Sequence, residues 1–217
     1  CRGINLNYYN PKNISDIKLL KLKKEWGVED DKFKVLLPGR LTNWKGQLNF
    51  IEALNILIED YKNDKFQAII LGSDQGRNVY KKKLQSLIDR YNINKKIIFA
   101  EHCKEMPLAY ALADIVVSSS IEPEAFGRVS VEAQSMQKLI IASNIGGSNE
   151  TVIDGKTGIL FESANSDDLS NKIIKVMNTD PNELMEMGIN GRENAVKKFN
   201  VEKMCFSTYS EYKKLLN

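Results

Sequence analysis

Apolar and polar positions along the chain repeat in two different periods. Runs of strand length that are apolar except for Lys34, Gln67 and Asp114 stand at 33–37, 66–71, 97–99, 114–117, 139–142 and 158–161. Between these runs, apolar residues recur at helical spacing, as at Leu48, Ile51 and Leu54. This spacing predicts helices over 47–61, 79–91, 106–113, 128–136, 167–177, 181–199 and 201–216. The chain is therefore predicted to alternate strands with helices.

Apolar strands that alternate with helices are typical of a parallel sheet covered by helices on both faces. Because crossovers between parallel strands are right-handed, the predicted architecture is a Rossmann-like, doubly wound α/β fold. In such a sheet, ligands bind beyond the carboxyl ends of the strands. The loops that follow the strands are therefore the places where we expect the functional residues.

Three parts are predicted along the chain. Residues 1–30 lack a strand pattern and are interpreted as a linker with one helix near 16–26. Residues 31–200 are predicted to form the Rossmann-like domain, and 201–217 a C-terminal helix. The first residue is Cys1 rather than Met, which suggests part of a longer protein.

Composition excludes some classes of function. Of the 217 residues, 42% are hydrophobic and 27% are charged, as is ordinary for a globular domain, and the net charge of +3 is too small to indicate nucleic-acid binding. No apolar run is long enough to cross a bilayer. The cysteines, Cys1, Cys103 and Cys205, show no spacing that suggests a zinc site, and a reducing cytoplasm fits best.

A basic cluster lies near the start of the chain. The exposed face of the first predicted helix carries Lys18, Lys21, Lys23 and Lys24. Such a cluster could contact the anionic inner face of a membrane. A solvated helix face is the favoured interpretation, because charge runs on helices usually face water.

The loop after the first strand, Gly39-Arg40-Leu41-Thr42-Asn43-Trp44-Lys45-Gly46, carries two cations just before a predicted helix. An anion there would meet the forked donors of Arg40, the point charge of Lys45 and the unpaired amides of the helix start. Two exposed surface charges are the alternative interpretation.

The loop after the fourth strand combines carboxylates with a glycine. Gly127 leads directly into a helix, where its lack of a Cβ lets backbone amides approach a phosphate. Glu132 follows within that helix and could accept two hydrogen bonds from a vicinal diol such as a ribose. Glu124 lies just before the helix. The alternative is that Glu132 pairs with Arg128 four positions earlier and Glu124 is a loop charge.

Several motifs in order resemble one family. Gly39-Arg40 and Lys45-Gly46 are followed by Glu124-Ala-Phe-Gly-Arg-Val-Ser-Val-Glu132, then by Gly146-Gly147 and Asp154-Gly155. The chain is similar here to the C-terminal domain of retaining GT-B glycosyltransferases of family 4, over about residues 33–165. The resemblance implies one half of a GT-B fold and a hexosyltransferase that uses a nucleoside-diphosphate sugar, most often UDP- or GDP-linked, without metal.

The resemblance also implies roles for individual residues. Arg40 and Lys45, in the loop from Gly39, would hold the donor diphosphate, and Glu132 the ribose hydroxyls. Glu124 would contact hydroxyls of the transferred sugar, and with Arg40 and Lys45 it completes the expected catalytic set. Backbone amides that meet sugar and phosphate are expected at Phe126, Gly127, Arg128 and Val129. The loop around His102 and Cys103 would pack on the nucleobase.

Catalysis would then rest on stabilising the leaving diphosphate, with front-face attack by the acceptor. GT-B enzymes bind the acceptor with a second domain, so we expect that domain to precede Cys1 and the helix 201–217 to pack back on it. This chain alone is expected to bind donor without turnover, and the parent to act on a glycan or lipid-linked acceptor in bacterial envelope polysaccharide synthesis.

Other functions were weighed against this interpretation. A nicotinamide-binding domain would carry G-x-G-x-x-G after the first strand, where this chain has Gly39-Arg40-Leu41-Thr42. Two alternatives remain open, a non-catalytic nucleotide-sugar-binding module and a GT-B nucleotide-sugar epimerase. The complete set of Arg40, Lys45, Glu124 and Glu132 favours the transferase over the first of them.

Overall fold

A computed structural model describes residues 2–76 and 78–216. Two ends of the predicted parts, Cys1 of the linker and Asn217 of the final helix, lie outside the described residues. No helix among the described residues is both long and apolar enough to span a bilayer.

Six parallel strands form one sheet in the order β3-β2-β1-β4-β5-β6. The strands are β1 Phe33–Pro38, β2 Phe66–Leu71, β3 Ile97–Ala100, β4 Ile115–Ser118, β5 Leu139–Ser143 and β6 Ile159–Phe161. The predicted Rossmann-like α/β fold is thereby confirmed, and each predicted strand is present with its ends moved by at most a residue.

Helices cover both faces of the sheet. They are α1 Asp16–Trp26, α2 Gln47–Glu59, α3 Asn78–Tyr91, α4 Met106–Leu112, α5 Arg128–Ser135, α6 Ser148–Thr151, α7 Ser166–Met177, α8 Pro181–Lys198 and α9 Val201–Leu216. Sequence patterns did not predict α6, which is a single turn. The prediction that α2 extends to Tyr61 was wrong, because Lys62 takes a positive φ and the Asn63 amide donates back to Leu57, which closes the helix.

The strands are mostly apolar because both faces of the sheet are buried. Val35 and Leu37 of β1 pack under α2, α3 and α7, whereas Leu36 between them packs on the opposite side with α4 and α5. All three side chains are at most 2% exposed. Successive strand residues point to opposite faces, so one strand contributes to two apolar layers.

The N-terminal segment packs against this domain. Ile4 and Tyr9 are buried in the layer beside α5, and the Ile4 amide donates to the Phe199 carbonyl at 2.9 Å. Ile4 also forms a parallel bridge with Asn200, directly before α9. The division of the chain into a linker, a domain and a final helix stays a prediction, although residues 4–9 are in close contact with the rest.

The strand order reverses direction between β1 and β4, and this reversal places the loops after these two strands next to each other. After β1 the chain adds β2 and β3 on one side, and then returns to place β4 on the other. The loops after β1 and β4 therefore leave the same edge side by side, which is where open α/β sheets form a ligand crevice. Hydrogen bonds join these loops, among them one from the Ile121 amide to the Trp44 carbonyl at 2.8 Å and one from the Ser119 hydroxyl to the Lys45 carbonyl at 3.0 Å.

Candidate functional site

A cavity of about 360 Å³ opens at the carboxyl edge of the sheet. Its wall combines the ends of three strands and their loops with the first turns of α5. Five of the predicted site residues line it, namely Gly39, Arg40, Arg128, Val129 and Glu132. The loop after β3 contributes His102 and Cys103 to the same wall. The structure thus brings together in one cavity three segments that are far apart in sequence.

Glu132 is the buried carboxylate of this cavity. It lies in the second turn of α5 and is 5% exposed. One oxygen, Oε1, accepts from the Tyr9 hydroxyl at 2.8 Å and from Arg128 Nε at 2.6 Å. The other oxygen, Oε2, accepts from the Tyr110 hydroxyl at 2.7 Å. A buried carboxylate needs such donors, because an unpaired charge in the interior is costly.

Electrostatics keep the tyrosines around Glu132 as donors. Burial, followed by the charge of Glu132, raises the pKa of the Tyr110 hydroxyl, and the same two causes raise the pKa of Tyr9. The hydrogen bond to Glu132 raises the pKa of the Arg128 guanidinium. All three groups therefore carry their protons at neutral pH and donate them to the Glu132 carboxylate.

Sequence analysis did not identify the roles of Tyr9 and Tyr110. Tyr9 is 123 positions from Glu132 and lies in the segment interpreted as a linker. Tyr110 belongs to the apolar face of α4, where its ring is indistinguishable from an ordinary core aromatic. The packing of the N-terminal segment and α4 against α5 brings the two hydroxyls to one carboxylate.

Lys45 and Glu124 form an ion pair beside the cavity. Lys45 Nζ lies 2.7 Å from Glu124 Oε1, and both side chains are largely buried, at 13% and 14% exposed. The Ser120 hydroxyl also donates to Glu124 Oε1. Lys45 further lies over the ring of Trp44, 4.5 Å from its centroid. Neither charge is the exposed surface group that the alternative interpretation assumed.

Arg40 differs from Lys45 in being exposed. Arg40 follows Gly39 directly. The aliphatic stem of Lys45 passes close to Gly39, because a Cβ at Gly39 would lie 3.5 Å from Lys45 Cδ. Of the two predicted cations, Arg40 therefore lines the cavity wall, whereas Lys45 is paired with Glu124 beside the cavity.

The start of α5 is held by close backbone packing. Gly127 precedes the helix with a φ of +70°, and a Cβ at Gly147 would come within 2.4 Å of the Phe126 backbone. The Gly147 amide donates to the Glu124 carbonyl at 2.7 Å. The loop that carries Gly147 thus supports the loop that carries Glu124. In the first turn of α5 the Ser130 amide donates to the Gly127 carbonyl at 3.1 Å, which leaves the amides of Arg128 and Val129 without an intrahelical acceptor.

Two other features of the structure bear on the predictions. The Cys103 thiol is buried and unoxidised, and burial raises its pKa. A larger cavity of about 890 Å³ opens at the opposite, amino edge of the sheet and is lined in part by Phe33, Asp114 and Leu139. None of the predicted site residues lines that second cavity.

Comparison with known proteins identifies what this arrangement resembles. The family model for glycosyl transferases group 1 matches residues 20–194. D-inositol 3-phosphate glycosyltransferase from Paenarthrobacter aurescens is 30% identical over 162 residues, which cover 74% of this chain and 38% of the relative.

Solved structures agree with the family match. Alr3699/HepE of Anabaena, solved with UDP-glucose, superposes with a TM-score of 0.88 at 29% identity, covering 98% of this chain and 56% of that one. The C-terminal domain of the group 1 protein LpcC from Francisella tularensis gives a TM-score of 0.77 at 25% identity, covering 92% of this chain and all of that one. This chain therefore matches the C-terminal half of a GT-B structure, and it spans only about two fifths of the first curated relative.

Proposed function

The chain belongs to the glycosyl transferases group 1 family, and from that premise we propose that it is the donor-binding domain of a retaining glycosyltransferase. It binds a nucleoside-diphosphate sugar, which the whole protein transfers to a glycan or lipid-linked acceptor. Because the Anabaena relative was solved with UDP-glucose, UDP-linked sugars are the first candidates and GDP-linked sugars the second.

One observation carries this proposal: the cation Arg40 and the buried carboxylate Glu132 line the same cavity at the strand-order reversal. A nucleoside diphosphate carries an anionic diphosphate next to a neutral ribose diol. Arg40 suits the diphosphate, because guanidinium is a forked donor to phosphate oxygens. Glu132 suits the diol, because an ionised carboxylate is an acceptor only. The two side chains thus match the two chemically distinct parts of such a ligand.

The catalytic contribution of this domain is electrostatic. As the sugar departs, negative charge grows on the diphosphate, and Arg40, Lys45 and the amides at the start of α5 stabilise it. Lys45 makes this contact from its position against Glu124, whose carboxylate orients the ammonium and contacts the sugar hydroxyls. We also propose that backbone amides contact the sugar and the phosphates, at Phe126, Gly127, Arg128 and Val129. The loop at His102 is proposed to pack on the nucleobase.

The acceptor site belongs to the proposal for the whole protein. We place acceptor binding on a second GT-B domain, with polysaccharide synthesis at the cytoplasmic side of a bacterial envelope as the setting. Contact with a membrane through the lysines of α1 has less support, because Lys18 and Lys23 are paired with Glu105 and Asp30. A non-catalytic module or an epimerase would bind the same donor, and assay of transfer by the whole protein separates them.

Glu132→Gln is expected to weaken binding of the matching nucleoside diphosphate by about 1–3 kcal/mol, the range for hydrogen bonds to a charged group. Isothermal titration of UDP, GDP and ADP into the wild type and the variant measures this loss and identifies the base. The glutamine keeps the shape of the side chain but replaces one acceptor oxygen by an amide, which cannot accept from a ribose hydroxyl.

Glu122→Gln is the matched control. Glu122 is exposed in the same loop as Glu124, so its neutralisation removes the same charge without touching the cavity, and the affinity should stay within twofold, in keeping with surface substitutions. Equal losses in both variants would mean that only net charge matters, and the ribose role of Glu132 would then have to be abandoned.

A further inference from the structure

Glu132 has fewer open acceptor positions than a ribose diol needs. An ionised carboxylate offers about four lone-pair positions. In the structure, the hydroxyls of Tyr9 and Tyr110 and the Nε of Arg128 already occupy three of them. A ribose that donates through both hydroxyls requires two positions. One protein donor must therefore be exchanged when Glu132 takes a diol.

The three donors are not equally able to leave. Tyr110 is fully buried, and Tyr9 is only 4% exposed. Their rings contact edge to face, with centroids 6.0 Å apart, and the Arg192 guanidinium holds the Tyr9 carbonyl at 3.1 Å. Movement of either tyrosine would open the core beside α5.

Arg128 is held far more loosely. Its side chain is 72% exposed, and within the described residues its one ion-pair partner is Glu132, one helical turn away. Pairs of this spacing between two exposed side chains contribute only about 0.3–0.5 kcal/mol in other proteins. Here only the guanidinium is exposed, and the buried Glu132 would exchange this donor for a ribose hydroxyl rather than lose it. The exposed guanidinium can regain hydrogen bonds from water at once, whereas a displaced tyrosine hydroxyl could not.

We propose that Arg128 and the ribose of the donor compete for Glu132, while Tyr9 and Tyr110 are positioning residues that stay on the carboxylate in both arrangements. This inference rests on the proposed function, since it requires Glu132 to bind a ribose. It assigns opposite effects to neighbouring side chains. Removing the competitor frees an acceptor position on Glu132 and strengthens ribose binding. Removing a positioning hydroxyl also frees a position, but it leaves the buried carboxylate without a fixed orientation, so ribose binding weakens.

The measurement is a ribose preference, defined as the dissociation constant of 2′,3′-dideoxyuridine diphosphate divided by that of UDP. Dividing one constant by the other cancels effects on the diphosphate, including the lost charge of Arg128. Arg128→Met is expected to raise the preference about threefold, near the strength of an exposed ion pair. Tyr9→Phe is expected to lower it about fivefold, near that of one hydrogen bond.

Tyr8→Phe is the matched control for the tyrosine. The Tyr8 ring packs edge to face against Tyr9, with centroids 5.0 Å apart, but its hydroxyl reaches only the Lys104 carbonyl, at 3.5 Å. We expect this variant to leave the preference unchanged. A purely structural role for the ring pair would leave the preference unchanged in both variants, because Tyr8→Phe and Tyr9→Phe keep their rings.

A second readout follows Arg128 itself. Its Nε proton, hydrogen-bonded to a buried carboxylate, is expected to give an arginine NMR signal protected from exchange and absent in Arg128→Met. UDP should remove this protection, and the dideoxy compound, which has no diol, should leave it in place. Both compounds carry the same diphosphate, so a difference between them reports the ribose.

The outcomes separate this inference from the function on which it rests. If Arg128→Met leaves or lowers the preference and UDP leaves the Nε proton protected, Arg128 is a third support of Glu132 and the competition is disproved, although donor binding stands. If UDP does not bind, the guanosine compounds replace the uridine pair. If neither nucleotide binds the wild type, the proposed function fails and the competition fails with it.

Discussion

A Lys45→Met variant is expected to lose about 2–4 kcal/mol of stability, and a Lys45→Met/Glu124→Gln double variant to regain most of it. Donor binding should not recover with the stability. In both variants the affinity for the nucleoside diphosphate is expected to fall at least about tenfold relative to the wild type, as for loss of a charged hydrogen bond. Breaking one partner of a buried ion pair costs more than replacing both, because the remaining charge is left without a partner.

The geometry of the pair supports this separation of stability from binding. Lys45 and Glu124 are each less than one-sixth exposed and meet at 2.7 Å, so the methionine leaves the Glu124 carboxylate with only the Ser120 hydroxyl. In the double variant the neutral amide removes that penalty. The ammonium proposed to stabilise the diphosphate is still absent, and a thioether cannot replace it.

Urea unfolding and calorimetric titration measure the two effects separately. Lys18→Met is the control, because Lys18 pairs with Glu105 at the same 2.7 Å while both side chains are about half exposed. Its stability should change by no more than about 1 kcal/mol. A double variant that remains as unstable as Lys45→Met would show that Lys45 stabilises through its stem and Trp44 rather than through Glu124.

The fold followed from the sequence because its signals are local. The apolar run at 66–71 and the helical spacing of Leu48, Ile51 and Leu54 are properties of a few consecutive residues, and the structure confirms both elements. Elements with little periodicity were harder to predict. The single turn of α6 is too short for a helical repeat, and the end of α2 depends on the positive φ of Lys62.

The candidate site was predictable only in part. Loops at the carboxyl ends of strands share an edge, so the approach of Arg40 to Glu132 follows from topology once the sheet is known. The partners inside the site do not follow, since Lys45 and Glu124 are 79 positions apart and Tyr9 and Glu132 are 123 apart. Helical spacing did offer the Arg128–Glu132 pair, which the structure contains. Spacing could not reveal that the carboxylate is buried while the guanidinium is exposed.

Gly46→Ala is expected to have the largest effect on folding, about 3 kcal/mol or more, which adds the cost of the left-handed conformation to that of overpacking. Gly46 has a φ of +69°, and a Cβ there would lie 1.8 Å from the Ser119 carbonyl oxygen. The obstacle is backbone at the end of β4, held by the sheet, so it cannot rotate away as a flexible side chain would.

Gly27→Ala isolates the conformational part of that cost. Gly27 ends α1 with a φ of +66°, nearly that of Gly46, but no atom lies within 4 Å of the position its Cβ would take. The Gly27→Ala variant should lose about 1 kcal/mol of stability, and its melting temperature should fall by a few degrees. The melting temperature of Gly46→Ala should fall by about 6–12 °C or more.

Comparing Gly46→Ala with Gly27→Ala also tests what holds the loops after β1 and β4 together. Gly46 follows Lys45 and touches the strand end that leads to Glu124, so this contact sets the distance between the two charges. If Gly46→Ala folds, it should bind the nucleoside diphosphate more weakly, whereas Gly27→Ala should bind as the wild type does. Equal stability losses in the two variants would mean that the loop after β1 moves away from β4 at little cost. The close approach of the loops would then not be what fixes Lys45 beside Glu124.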